Sequence, residues 1–140
     1  MTTTLPTTRP LKVAHIIHSL GPGGAEHVLV DLAGAASSAA LDLLVVALSP
    51  VPDAVHAHDL RRLGVPVVEL GLGRWDLRAV PRTVSLLREH GVEIVHTHLK
   101  HADLVGSLAA ARLGIPAVST LHLIESAPAQ IVGVHGVGHR

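Results

Sequence analysis

Three separated stretches of the chain hold the side chains best suited to chemistry. The first is His18-Ser19-Leu20-Gly21-Pro22-Gly23-Gly24-Ala25-Glu26. The second is His96-Thr97-His98-Leu99-Lys100-His101, and the third is His122. Gly23 and Gly24 carry no Cβ, so the backbone can take positive φ and a ligand can approach its N–H groups closely. A helix beginning there aims its unpaired N–H groups and the positive end of its dipole at the same place. Histidine and lysine donors beside bare backbone N–H groups suit a phosphorylated or polyhydroxyl ligand. His18, Gly23, Gly24, His96, His98 and Lys100 are therefore expected to contact substrate.

The chain has 12 histidines among 140 residues, and they need more than one explanation. His15 lies inside an apolar run and reads as a satisfied core residue. His56, His58 and His90 fall on helix positions expected to be exposed. His98 and His101 also stand where a residue could simply lead into a helix, and His122 could be a local hydrogen-bonding group at a strand end. His96 and His98 share one side of an extended segment, which raises the question of zinc. Further ligands would have to come from His101, His122, Asp103 or Glu125. No recognised zinc spacing is present and there is no cysteine, so neither a metal nor a cofactor is expected. A nicotinamide site is disfavoured too. Gly-Pro-Gly-Gly is not G-x-G-x-x-G, and Ala47-Leu48-Ser49 offers no carboxylate for a ribose hydroxyl. Arg74, Arg78 and Arg82 would form a basic row if one helix ran back that far. Such a row is read as a solvated face in preference to a membrane contact.

The elements that position these residues follow from the apolar pattern. Strands are expected at 12–18, 41–48, 65–70, 92 to 96 or 97, and 117–121. Helices are expected at 24–36, 53–63 and 102–113. Val28, Leu29, Leu32 and Ala36 form the apolar stripe of the first, and Glu26 lies in its first turn, where the dipole favours a carboxylate. A further helix either begins at an Asp76 cap, turning Leu77, Val80, Val84 and Leu87 to the core, or begins only at Pro81. Strands alternating with helices predict a single α/β domain, Rossmann-like, with a parallel sheet of order 3-2-1-4-5 and helices on both faces. Ligands of such sheets bind beyond the carboxyl ends of the strands, where the strand order reverses. That rule gathers the three stretches around one crevice.

The domain is expected to span 12–123, between a disordered tail at 1–11 and an irregular tail at 124–140. With no Phe or Tyr, the core must be filled by Leu, Val and Ile, as buried parallel strands require. A formal net charge of zero with neutral histidines gives no basic field for nucleic acid. The opening MTTTLPTTRP carries no apolar core and is expected to be neither a signal peptide nor a membrane anchor. The longest apolar run, 41–51, is broken by Asp42 and Pro50 and falls short of the roughly 18 residues a span needs. A soluble, cytoplasmic protein is expected.

The segment KVAHIIHSLGPGGAEHVLVDLA resembles the start of family 4 glycosyltransferases of the GT-B fold. VPVVELGL followed by GVEIVHTHLKHADLVGSLAAARLGIPAVSTLH resembles the continuation, so the likeness covers residues 12 to about 123. Members of this family place two Rossmann-like domains around a cleft, and the chain is similar to the N-terminal, acceptor-side domain. The resemblance implies that Gly23 and Gly24 approach the donor diphosphate and that His122 lies near the transferred sugar, as the catalytic residue. It implies sugar transfer with retention of configuration from a nucleotide-sugar co-substrate to a saccharide or lipid-linked acceptor, without a catalytic metal. His27 stands where the family commonly has arginine, and from about Ala127 the likeness ends. The family's C-terminal domain, which holds most of the donor site and a pair of glutamates, has no counterpart in these residues. The expectation is a truncated or frame-shifted transferase half, inactive without that domain or a second chain. The alternative is a non-catalytic module that binds a sugar, a phosphate or a partner subunit.

Overall fold

In a computed structural model, the chain is described over residues 9–20, 24–36, 38–50, 55–73, 75–121 and 130–135. The strands are β1 (Leu11–Ile17), β2 (Leu41–Ala47), β3 (Val67–Glu69), β4 (Ile94–His98), β5 (Ala117–Leu121) and β6 (Gln130–His135). The helices are α1 (Gly24–Ala35), α2 (Val55–Arg62), α3 (Ala79–Glu89) and α4 (Lys100–Leu113). One sheet runs in the order β3-β2-β1-β4-β5-β6. Its first five strands are parallel, and β6 joins β5 antiparallel. The parallel 3-2-1-4-5 core is thus the arrangement expected from the sequence.

The core divides between the two faces of the sheet. Because side chains alternate along a strand, Ala14 and Ile16 of β1 face one way and Val13 and Ile17 the other. Ala14 and Ile16 join a cluster with Val84 and Leu87 of α3 and Val105 and Ala109 of α4. Val13 and Ile17 join Leu29 and Ala33 of α1 and Ala57 and Leu60 of α2. Aliphatic residues fill both layers without any Phe or Tyr.

Several boundaries differ from expectation, each for a local reason. In α1 the buried positions are Leu29 and Ala33, while Val28 and Leu32 of the expected stripe are each 40% exposed. Helix α3 begins at Ala79, which leaves Leu77 93% exposed. The Asp76 carboxylate accepts the Arg78 backbone N–H at 2.9 Å, and hydrogen bonds from the Arg78 guanidinium to both its oxygens, with that backbone bond, hold the carboxyl down to about 2. Pro81 is then the third helical residue, whose N–H would have no partner in the helix. The arginine row does not form: Arg78 precedes the helix and pairs with Asp76, and Arg74 lies outside the described residues. Strand β6 falls within the stretch expected to be irregular. Its β-branched Ile131, Val132 and Val134 suit an edge strand, and the register shift between Ser119 and Thr120 accommodates it. Residues of the expected leading tail are also tied down. The Arg9 guanidinium grips Glu93 through two hydrogen bonds of 2.6 and 2.9 Å, and β1 begins at Leu11. Among the described residues, no helix is long and apolar enough to cross a membrane.

Candidate functional site

The strand order reverses between β1 and β4, and two strand-to-helix junctions lie side by side there. At the first, β1 ends at Ile17 and α1 begins at Gly24. At the second, β4 passes into α4 through Leu99 alone. Leu99 has φ 74° and ψ 163°, a region that in practice belongs to glycine. Holding leucine there costs about 1–3 kcal/mol, offset by packing its side chain against the α1-side cluster. The sharp turn starts α4 at the strand end and sets Lys100 and His101 in its first turn. Among the described residues no side chain caps this helix, and a helix start of this kind can offer its leading N–H groups to an anion.

Across the two junctions, His18 Nδ1 and His101 Nδ1 are 3.1 Å apart, one ring donating and the other accepting. The Trp75 ring stands edge-on to His101, with centroids 6.2 Å apart. Trp75 is 81% exposed in a chain with no other aromatic of the Phe, Trp or Tyr type. Lys100 is exposed beside them. Two imidazoles, an ammonium and an indole therefore rim the crevice, donors beside a flat apolar surface. Neither His101 nor Trp75 was singled out as a substrate contact from the sequence.

His96 and His98 are placed differently from the expectation. Their spacing of two sets both on the face shared with His15, whose register partner is His96. His15 Nδ1 meets His98 Nε2 at 3.0 Å, and the His96 and His98 rings stack with centroids 4.4 Å apart. His96 Nε2 bonds Thr120 Oγ1 at 2.6 Å. His15 and His98 are buried and His96 is half-buried. Burial, with His96 as a second cause, pushes His15 down to about 3, so its ring is neutral at neutral pH. The six expected contacts thus divide. His18 and Lys100 rim the crevice, and Gly24 opens α1 at the same end of the sheet. His96 and His98 join His15 beneath it. Gly23 and His122 lie outside the described residues. Of the histidines expected to be exposed, His58 is, whereas His56 and His90 are half-buried.

On the opposite face a polar hub fixes α4. The Asp103 carboxylate accepts hydrogen bonds from Thr97 Oγ1 at 2.9 Å, from Ser107 Oγ at 3.3 Å, and from Ser119 Oγ. Thr97 and Ser119 are buried in β4 and β5. One carboxylate in the first turn of α4 therefore binds the helix to both strands, and charge-assisted bonds of this kind each contribute about 1.5–3 kcal/mol. From the sequence Asp103 is weighed only as a metal ligand; the two hydroxyls at sheet-buried positions, each needing a partner, are the signal that could have shown this role. A recess bounded by Lys12, Val13, Asp42, Leu44, His90 and Val92 lies at the amino ends of the strands, away from the crevice.

The fold has counterparts among known proteins. The chain resembles a glycosyltransferase from Rickettsia africae ESF-5 at TM-score 0.66 and 12% identity, covering 85% of this chain and 32% of that one. It resembles Acinetobacter baumannii MurG at TM-score 0.61 and 17% identity, covering 80% of this chain and 35% of that one. A UDP-N-acetylglucosamine 2-epimerase is similar at TM-score 0.55 and 17% identity, covering 80% of this chain and 32% of that one. The chain thus spans about a third of the length of these structures, and the likeness is one of fold. No curated protein matches the sequence. The profile of Glycosyltransferase Family 4 matches residues 22–137, nearly the whole chain. With its Rossmann-like sheet and its switch-point crevice, the chain belongs to Glycosyltransferase Family 4.

Proposed function

We propose that this domain forms the acceptor-side wall of a retaining glycosyltransferase, with the crevice between the β1–α1 and β4–α4 junctions as its substrate face. The observation that carries the reading is the meeting of His18 and His101 across those junctions, at the reversal of strand order. The starts of α1 and α4 supply N–H donors to a diphosphate. His18, His101 and Lys100 bond sugar hydroxyls or phosphate oxygens. His122, the residue after β5 in the sequence, acts on the transferred sugar. A nucleotide sugar is the donor and a saccharide or lipid-linked molecule the acceptor. The C-terminal domain that completes the cleft comes from the same polypeptide or from a second chain.

The Gly24→Val change tests the role of the first junction. A branched side chain at the opening residue of α1 occupies the space through which a phosphate reaches the backbone. With the domain joined to its C-terminal partner domain, calorimetry is expected to show nucleotide-sugar affinity at least about tenfold weaker, equal to about 1.4 kcal/mol. Thermal stability should change little, since valine costs a helix end only tenths of a kcal/mol. Equal affinity for both proteins contradicts the assignment.

A further inference from the structure

His15, His96 and His98 present one ring nitrogen each, all within 4.8 Å of one another. We propose that these three imidazoles form a binding site for a borderline transition-metal dication, zinc foremost, that ties β1 to β4 beneath the crevice.

The donor set selects the class of ion. Three neutral nitrogens and no carboxylate suit zinc, nickel or copper, whereas magnesium and calcium require oxygen ligands. Zinc–nitrogen bonds of 2.0–2.1 Å put tetrahedral ligands about 3.4 Å apart. The His15–His98 pair, at 3.0 Å, is already close to that separation. Ring rotations bring His96 to the same point. The ring that donates in the His15–His98 bond moves its proton to its other nitrogen, which leaves two lone pairs facing the ion. Thr120 Oγ1 on His96 Nε2 is the kind of outer partner that steadies a ligand ring.

The fold also provides a route for the ion. On β5, Ala117 and Ser119 are buried toward α4, while Val118 and Thr120, on the histidine side, are half-buried. Among the described residues, the cluster under α1 and α2 contains no β5 residue. His96 is itself half-buried, and a water can complete the coordination. Linear spacing missed the site because its third member lies 83 residues before His98 and meets it only through β1–β4 pairing. An ion here would hold the end of β4, from which Leu99 and Lys100 lead into the crevice.

The test uses the 140-residue chain, purified without a histidine tag and stripped of metal. It is titrated with zinc chloride against a chromophoric chelator, and separately with magnesium chloride. One zinc per chain is expected, with a thermal midpoint that rises with zinc and not with magnesium. His96→Gln removes a half-exposed ligand and should weaken zinc at least about 100-fold, beyond the roughly 10–100-fold expected for the outer-partner change Thr120→Val. His58→Gln, an exposed histidine on α2, should leave affinity unchanged. Cobalt loading adds a signature, since ligand-field bands of a nitrogen-bound site should appear in the parent and vanish in His96→Gln. Absence of a one-to-one zinc site overturns the proposal, as does an affinity untouched by His96→Gln or equally reduced by His58→Gln. Should His96→Gln fail the circular dichroism check of folding, full-strength zinc binding by folded Thr120→Val overturns it instead.

Discussion

Offered nucleotide sugars together with saccharide or lipid-linked acceptors, the 140-residue chain alone is expected to release no transferred sugar detectable by mass spectrometry. The reason is positional. Sugar transfer needs donor and acceptor held at near-attack distance, and such positioning supplies roughly 7–11 kcal/mol of the barrier. The described crevice presents one wall, rimmed by His18, Lys100, His101 and Trp75. A leaving diphosphate would meet helix N-termini and imidazoles, with water on the other side weakening each contact. A well-placed histidine contributes about 10²–10⁴-fold as an acid or base, too little to replace that positioning. On the proposed function, the chain joined to a C-terminal partner domain should transfer the sugar, with the product keeping the donor's anomeric configuration. Acceptor-dependent product from the 140-residue chain alone, abolished by His122→Ala, would falsify this account of the division of labour.

Gly106→Val should cost the fold about 3 kcal/mol, from overpacking at a site with no room. Gly106 is buried in α4 where the helix crosses β4 and β1. A Cβ there would overlap Thr97 Cγ2, and would stand 3.2 Å from Ile16 Cδ1 and 3.4 Å from Val95 Cγ1. Alanine meets the same overlap, so its helix propensity gain of about 1 kcal/mol is consumed. Denaturant unfolding should show Gly106→Val losing most stability and Gly106→Ala losing less. Combining Gly106→Ala with Thr97→Ser, which deletes the offending methyl and keeps the hydroxyl for Asp103, should recover at least about 1 kcal/mol as coupling between the sites. Additive effects of the two changes would mean that α4 does not approach β4 as closely as described. The same contact bears on function, because displacing Thr97 disturbs the Asp103 hub and with it the start of α4.

The sheet order was legible because each buried strand is a short apolar run and each helix has its own period, so alternation alone dictates parallel crossovers. The grouping of His18, Gly24 and Lys100 at the carboxyl end of the sheet was legible for the same reason. What could not be read was the direction of each ring. His96 and His98 look like crevice residues in one dimension, yet their register with β1 sets them on one face of the central strands against His15. α4 starts two residues before its expected position, because a leucine at positive φ is not expected from its type. That shift brings His101 into α4's first turn opposite His18. β6 escaped notice because its apolar run is short and runs into a glycine-rich ending, and its place depends on β5 rather than on local pattern.

The central claim, that the crevice at the β1 and β4 ends is the substrate face, is tested most directly by backbone amide and indole NMR spectra of the chain titrated with nucleotide sugars and with saccharide acceptors. Shifts are predicted to concentrate at His18, Gly24, Lys100, His101 and the Trp75 indole, growing with ligand concentration to saturation. Shifts confined to the amino-end recess around Lys12, Asp42 and His90, with the crevice signals unmoved, would contradict the account.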